Sequence, residues 1–300
     1  MMKKWLTLPA VLAVGGLLLL RPQEAAQAVR EGLALCAGTV IPSLFPFFVV
    51  VSLLLQLGLA EILQGLCGPF MGPLFRMRGV CALPLLAGLL GGYPAGARTA
   101  AELFQQGRLS RREAELLLGF CDNCGPAFLL GYVGAGVLGD ARAGAYLYLI
   151  HVLSALLAGM VLCRLCPGRD PALPGGRTAA RGVPFPQALT AAGSGAVTAT
   201  LNTCAFVVLF RVLAALLPPV LPGAALGVLE MVTGVSALSP GRAGFVWAGA
   251  IVGWGGLSVH CQALSAAAPL SFRWHWAGKA LQAALSAAMA YGVFPVVFGG

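Results

Sequence analysis

Apolar stretches of about 20 residues, the length that crosses a bilayer as a helix, recur along most of this 300-residue chain. Short segments rich in Arg, Gly or Pro separate them. Hydrophobic residues make up 59% of the sequence and charged residues only 10%, whereas a soluble domain carries about a quarter. Such a chain has too little polar surface to cover a water-soluble core. We therefore predict an all-α polytopic membrane protein.

The net charge of +9 is compatible with nucleic-acid binding, but the Lys and Arg residues lie between the apolar stretches. Basic residues at such positions set the orientation of a membrane protein. We therefore expect membrane lipid, and no nucleic acid, as a partner, and the sequence leaves an oligomer open. The nine cysteines fall mostly within apolar stretches, so a disulfide framework is not expected.

Residues 1–21 combine a basic start with a short apolar core. The stretch Ala26-Gln27-Ala28 resembles a signal-peptidase site, but the charged RPQE segment (residues 21–24) precedes it. We expect an uncleaved transmembrane helix whose N-terminus faces the cytoplasm, with cleavage as the alternative.

The apolar run from Val80 to Gly107 carries the sequence GGYPAG at its middle. The half-helices on either side have about a dozen residues and are too short to cross. This pattern predicts a re-entrant hairpin with its tip at GGYPAG. A hairpin that enters from the cytoplasm keeps most Lys and Arg residues on that side, as the positive-inside rule requires. On this count Lys279 is also a cytoplasmic residue.

The order of segments repeats along the chain. Residues 30–166 contain a span, the hairpin, a span broken at CDNCGP (residues 121–126) and a plain span; residues 167–185 form a polar cytoplasmic loop. Residues 186–300 contain a span, a hairpin with its tip near Thr233, a span interrupted at GGLSVHCQ (residues 255–262) and a last span that ends outside. The second hairpin enters from the opposite face, so the two repeats are inverted. This plan is common in secondary transporters, with the site at mid-membrane.

Gly125 and Pro126 interrupt the helix inside the first broken span. Backbone that leaves a helix within a membrane must be buried in protein or line a wet cavity. Asp122 and Asn123 can hydrogen-bond to the freed backbone groups or to a solute, and a bare acid is costly at this depth. The alternative is a structural kink whose side chains bond to neighbouring helices.

Several motifs together resemble a known family: IPSLFPFF (41–48), GYPAGAR (92–98), N-x-x-P-x-F (123–128), E-M-x-T-G (230–234) and GGLSVHCQ (255–262). They are similar to the Gate, or nucleoside recognition, domain of concentrative nucleoside transporters and the ferrous-iron permease FeoB, and to sporulation integral membrane proteins of the YlbJ type. The resemblance implies a multi-pass protein of a bacterial cytoplasmic membrane that is linked to sporulation. It also implies alternating-access transport of a nucleoside or similar small polar solute, with H⁺ or Na⁺ as the coupling ion.

The candidate site residues lie at the predicted tips and breaks. For Glu230 the alternative role is an ion pair with Arg98 or Arg211, and His151, in an unbroken span, is expected to be structural. The candidates for solute binding are Tyr93, Asp122, Asn123, Glu230, Thr233, Ser258, His260 and Gln262. The candidates that shape the backbone are Gly92, Pro94, Gly96, Gly125, Pro126, Gly234, Gly255 and Gly256.

Other functions remain as alternatives. The pairs Cys121/Cys124 and Cys163/Cys166 have zinc-like spacing, but they are expected about half a bilayer, roughly 15 Å, apart, which excludes a shared zinc ion. No catalytic motif is present, so we expect neither an enzyme nor a cofactor. A non-transporting sporulation scaffold would have Asp122 and Glu230 salt-bridged without a cavity. A metal-ion permease would bring cysteines or His260 within coordination distance.

Overall fold

The computed structural model describes residues 2–166, 168, 184–216 and 223–298, and most of the predicted loop 167–185 lies outside these residues. The described residues are helical, without a β-strand, which confirms the predicted helix class. The α-helices are α1 (Met2–Leu20), α2 (Pro22–Leu35), α3 (Ile41–Gln56), α4 (Leu59–Phe75), α5 (Ala82–Gly91), α6 (Ala95–Gln105), α7 (Arg111–Leu117), α8 (Ala141–Leu165), α9 (Phe185–Leu216), α10 (Met231–Ser236), α11 (Arg242–Trp254), α12 (Gly256–Ala266) and α13 (Arg273–Phe298).

Three helical segments of the described chain are long and apolar enough to cross a membrane: α8, α9 and the combined segment Arg242–Ala266. Two strongly bent helix pairs raise this number to five if each pair is one span. The first pair, Pro22–Val40 and Leu44–Leu54, bends by 51° near Pro42, where proline removes a backbone donor. The second pair, Gly65–Phe75 and Gly79–Gly91, bends by 100°.

The first hairpin consists of α5 and α6, joined by Gly92, Tyr93 and Pro94. Its turn therefore lies within the predicted GGYPAG segment. Gly92 has a φ of +81°, a conformation that glycine adopts without steric cost. The two helices approach through bare backbone, since a Cβ on Gly88 would lie 3.3 Å from the Cα of Gly96.

The first break follows α7. This short helix starts with a capping box in which Ser110 and Glu113 each bind the other's backbone N–H. Residues 118–125 are not helical, and the chain resumes at Pro126 and continues as a π-helix over Phe128–Val137. The break thus lies at the predicted CDNCGP segment.

The second hairpin consists of a 3₁₀-helix over Gly223–Val228 and the short helix α10. Its turn is at Leu229 and Glu230, so the prediction of a tip near Thr233 is wrong. Gly234 belongs instead to the contact between the two arms, because a Cβ there would lie 2.2 Å from the Cα of Gly227. The glycine of the EMVTG segment, Gly234, therefore allows this close packing and does not form a turn.

The second break is shorter than predicted. It consists of Gly255, between α11 and α12, and both Gly255 and Gly256, the first residue of α12, have positive φ angles, +90° and +81°. Leu257 to Gln262, expected within the break, lie in α12. Helix α13 packs against both α8 and α11 and so lies beside both halves of the described structure.

Candidate functional site

The first hairpin covers the first break by direct backbone contact. A Cβ on Gly88 or Gly96 would lie 1.7 or 1.9 Å from the carbonyl oxygen of Cys121, and one on Gly92 would lie 3.1 Å from the amide nitrogen of Gly125. Real Cβ atoms do not come as close as 1.9 Å to non-bonded heavy atoms, so only glycine fits at Gly88 and Gly96. The hairpin turn and the break thus form one packed unit.

The second hairpin covers the second break in a similar way. The backbone N–H of Ser258 donates to the carbonyl oxygen of Leu229 at 3.0 Å. A Cβ on Gly256 would lie 2.9 Å from the amide nitrogen of Met231. The turn at Leu229 and Glu230 therefore rests on the first residues of α12.

Tyr93 connects the two units. Its hydroxyl donates to the backbone carbonyl of Val252 at 3.0 Å, three residues before the second break. The same hydroxyl would be 3.2 Å from a Cβ on Gly255. The first hairpin turn therefore contacts the second break, and the two breaks lie in one region of the protein.

A small cavity of about 50 Å³ lies where these segments meet, and we call it the central cavity. In this conformation it is smaller than typical small-molecule sites, about 300–1,000 Å³, so the surrounding segments must move apart to admit a solute. Most of its wall is apolar, and its polar side chains come from both halves of the chain. The lining residues are Val40, Leu44, Tyr93, Cys124, Gly125, Phe128, Thr203, Val207, Glu230, Met231, Val232, Val259 and Gln262.

Glu230 is the acidic residue that lines the central cavity, and its side chain is 1% exposed. Its carboxylate caps α10 by accepting the N–H groups of Val232 at 3.1 Å and Thr233 at 2.6 Å. Each carboxylate oxygen can accept further hydrogen bonds. Glu230 therefore keeps acceptor capacity that is not used by these two amides.

The structure does not show the alternative ion pairs for Glu230. Arg211 instead binds Glu31 at 2.9 Å and the hydroxyl of Thr233 at 3.1 Å. Arg98 binds Glu102 at 2.8 Å. Thr233 thus contacts Arg211 and is not among the residues that line the cavity.

Gln262 lines both the central cavity and a larger opening of about 270 Å³, which we call the vestibule. Its Nε2 is 3.3 Å from the hydroxyl of Ser258, and its Oε1 is buried without a hydrogen-bond partner in the described structure. Buried polar atoms are nearly always hydrogen-bonded, so this oxygen suits a water molecule or a solute. The vestibule is lined by Pro94, Arg98, Ala101, Glu102, Gln105, Thr198, Ala199, Asn202, Gln262, Ser265 and Ala266.

Asn123 does not line the central cavity. Its Nδ2 donates to the carbonyl oxygen of Phe120 at 2.8 Å, and its Oδ1 accepts from the Nε2 of Gln282 at 3.0 Å. His151 accepts the backbone N–H of Cys124 at 3.0 Å. These contacts stabilise the first break from the side of α8 and α13, which agrees with the structural role expected for His151.

Asp122 is also buried behind the break. The Lys279 ammonium and the Ala97 amide act on its carboxylate electrostatically, but neither carboxylate oxygen has a hydrogen-bond partner of normal geometry in the described structure. The backbone carbonyl of Asp122, by contrast, accepts a hydrogen bond from Lys279.

Helix α13 carries a polar stripe that the sequence did not lead us to expect. It comprises His275, Lys279, Gln282 and Ser286, and each of them is 0% exposed. Lys279, which the positive-inside count placed among the cytoplasmic charges, is therefore a buried residue inside the protein. The spacing of four, three and four residues, which places side chains on one helix face, was a signal that could have revealed the stripe.

His260 contacts this stripe and not the cavity. Its Nδ1 is 2.8 Å from the Nε2 of His275, whose Nδ1 is 2.9 Å from the carbonyl oxygen of Leu118. Because that carbonyl can only accept, His275 donates to it from Nδ1, and a neutral His275 then accepts from His260. The rings of Trp254 and Trp276 lie 4.4 and 4.5 Å from the His260 ring.

The structure therefore divides the predicted site residues into two groups. Tyr93, Gly125, Glu230 and Gln262 line the central cavity, with Ser258 bound to Gln262. Asp122, Asn123 and His260 are buried around α13 instead. No group of three His, Cys, Asp or Glu side chains among the described residues is placed to hold a metal ion.

Comparison with known proteins finds a family that is similar to the first half of the chain. The Gate family, described as nucleoside recognition, matches residues 37–161. This Gate segment contains the first hairpin, the first break and most of α8. The Bacillus subtilis (strain 168) protein named sporulation integral membrane protein YlbJ is 38% identical over 141 residues.

These two matches confirm the resemblance to Gate-type proteins that the motifs predicted. The YlbJ alignment covers 47% of this chain and 35% of that relative, so the match spans about a third of the relative's length. No solved structure matches the chain. The segment after residue 161, with Glu230 and Gln262, lies outside the Gate match.

Proposed function

We propose that this protein is a secondary transporter of a nucleoside or similar small polar solute in the bacterial cytoplasmic membrane. It works by alternating access, and its N-terminus lies in the cytoplasm and its C-terminus outside. The observation that carries this proposal is the central cavity, which is lined by both hairpins, the first break and α12. The Gate match and the name of the YlbJ relative support a membrane role connected with sporulation.

The polar groups of the cavity suit a solute with several hydrogen-bond donors. The carboxylate of Glu230 and the Oε1 of Gln262 are acceptors, and they come from different segments of the second half. Tyr93 and Phe128 supply aromatic surface, on which a flat base can stack. A nucleoside offers both features, since its sugar hydroxyls donate hydrogen bonds and its base presents an apolar face.

Inverted repeats provide the mechanism in this proposal. Each hairpin covers one break, Tyr93 joins the two units, and Gln262 lies between the central cavity and the vestibule. If the two units rock against each other, the central cavity would open alternately to the two membrane faces, as in other repeat-built transporters. The vestibule beside Gln262 would be the access route from the side of Arg98 and Glu102.

Uptake by the purified protein in liposomes tests this proposal. We expect saturable uptake of at least one labelled nucleoside, and we expect Glu230→Gln to lower it at least about tenfold, the effect of about 1.4 kcal/mol. Glu24→Gln, which alters an exposed acid of α2 that lines neither the central cavity nor the vestibule, is the control and should keep most of the uptake. Absence of uptake across a nucleoside panel, or equal uptake in both variants, would contradict the proposal.

A non-transporting scaffold is the second candidate, because Asn123 and His151 are engaged in protein contacts. The lack of a salt bridge to Glu230 and the presence of the central cavity weigh against it. A scaffold would support sporulation even when the cavity is filled, for example by Val232→Phe. Normal spore formation in that variant, together with no uptake by the wild type, would favour the scaffold.

A further inference from the structure

Lys279 is a buried cation whose nitrogen faces three oxygen acceptors. Its Nζ donates to the backbone carbonyl of Asp122, to the Oε1 of Gln282 at 2.8 Å and to the hydroxyl oxygen of Tyr93 at 3.4 Å. The side chain is 0% exposed. These oxygens come from the first break, from α13 and from the first hairpin turn.

The neighbouring hydrogen bonds fix each of these groups as an acceptor. The hydroxyl of Tyr93 uses its hydrogen on Val252, so it can only accept from Lys279. The Nε2 of Gln282 donates to Asn123, which turns Oε1 towards Lys279. Asn123 in turn donates to Phe120, and the backbone carbonyl of Asp122 has no hydrogen to give.

Three acceptors match the three N–H groups of an ammonium, whereas a neutral amine has only two. The carboxylate of Asp122 lies near enough to attract this charge, although the two groups do not form a close ion pair among the described contacts. A buried cation is costly unless it is paired and hydrogen-bonded. The three oxygens and the carboxylate together offset that cost.

Carbonyl oxygens exposed where a membrane helix is interrupted are the groups that coordinate Na⁺ in transporters. At the first break the ammonium of Lys279 binds such a carbonyl, that of Asp122, in place of a Na⁺ ion. We propose that the ammonium of Lys279 is a built-in cation that fills the cation site of the first break. The first break therefore binds no Na⁺ in the wild-type protein.

The consequence for transport rests on the proposed function. If the protein is a transporter, the first break is not the site that binds a coupling Na⁺. The site itself can be tested without transport. Lys279→Ala would remove the ammonium and leave the oxygens of Asp122, Gln282 and Tyr93 around an empty space. The buried carboxylate of Asp122 would then lack its cation, which favours the binding of a small monovalent cation.

The experiment compares thermal unfolding of the purified protein in detergent with NaCl or with choline chloride at equal ionic strength. The wild type should melt at the same temperature in both salts. Lys279→Ala should be less stable in choline chloride and should gain roughly 2–4 °C or more in NaCl, because a ligand that binds only the folded state stabilises it. Lys279→Met is the matched control, since its side chain fills the space without a charge, and it should not respond to Na⁺.

Three results would overturn the proposal: a wild type that Na⁺ stabilises as strongly as Lys279→Ala, a Lys279→Met variant that responds equally, or a Lys279→Ala variant that does not respond. If Lys279→Ala folds only in NaCl, the proposal is supported, and if it folds in neither salt, Na⁺ does not replace the ammonium and the proposal fails. Uptake is measured separately, so a protein that does not transport can still pass this test.

Discussion

The hydroxyl of Tyr93, in the turn of the first hairpin, donates to the backbone carbonyl of Val252, just before the second break, at 3.0 Å. These residues are far apart in the sequence and belong to different halves of the chain. The same hydroxyl accepts from Lys279. One oxygen therefore joins the two broken segments and the polar stripe of α13.

Tyr93→Phe should destabilise the protein more than the loss of a single exposed hydrogen bond. The substitution leaves the carbonyl of Val252 and one N–H of Lys279 without their partner, and a buried unsatisfied group costs about 1–3 kcal/mol. Thermal unfolding in detergent measures this loss. Tyr148→Phe is the control, because it removes one bond, to the carbonyl of Leu89 at 3.0 Å, from a half-buried tyrosine; an equal or larger effect there would refute the role of Tyr93.

Two glycine substitutions should have opposite effects on stability. In Gly96→Ala the new Cβ would lie 1.9 Å from the carbonyl oxygen of Cys121, so the hairpin must move off the break, at a cost of about 1–3 kcal/mol or more. At Gly193, in α9, a Cβ would have no described heavy atom within 4 Å apart from the backbone of its own helix. There alanine should stabilise the helix by up to about 1 kcal/mol.

The midpoint of thermal unfolding in detergent compares the two glycine variants under the same conditions. If Gly96→Ala melts at or above the temperature of Gly193→Ala, the first hairpin does not pack on the first break as described. Lower uptake by Gly96→Ala alone would not decide the question, because a loosened hairpin affects both stability and transport.

Gln262→Leu should separate transport from stability. Leucine has a similar volume, and the only bond lost within the described structure is the long one to Ser258 at 3.3 Å, so we expect a stability change below about 1 kcal/mol. Uptake should fall at least about tenfold, because the passage between the central cavity and the vestibule loses its polar group. Gln105→Leu, on the wall of the vestibule, should transport normally; a stable Gln262→Leu variant with full uptake would exclude this passage.

The first hairpin and the first break could be predicted from sequence because their signals are local. Gly92 needs a backbone conformation that other residues avoid, and Pro126 cannot donate the hydrogen bond of a helix interior. The position of the second turn could not be predicted in this way. That turn contains Glu230, which caps the following helix with its own side chain, and the nearby Gly234 serves close packing.

The site was only partly predictable. Tyr93, Glu230 and Gln262 were identified because they lie beside predicted turns and breaks. Lys279 was assigned to the cytoplasmic surface, because a basic residue near the start of a span usually marks the membrane boundary. The spacing of the polar residues in α13 marks a common helix face, but it does not show that this face packs against the first break.

Helix α13 packs against the first break as closely as the first hairpin does, since a Cβ on Gly278 would lie 1.9 Å from the carbonyl oxygen of Gly119. The non-helical stretch 119–121 is therefore packed between two sets of glycines. Gly88 and Gly96 of the first hairpin lie on one side of it, and Gly278 of α13 lies on the other. At both contacts the backbones lie too close for any side chain to fit between them. We therefore expect the first hairpin, the first broken span and α13 to move as one body when a solute is admitted, with the hinges outside these three segments.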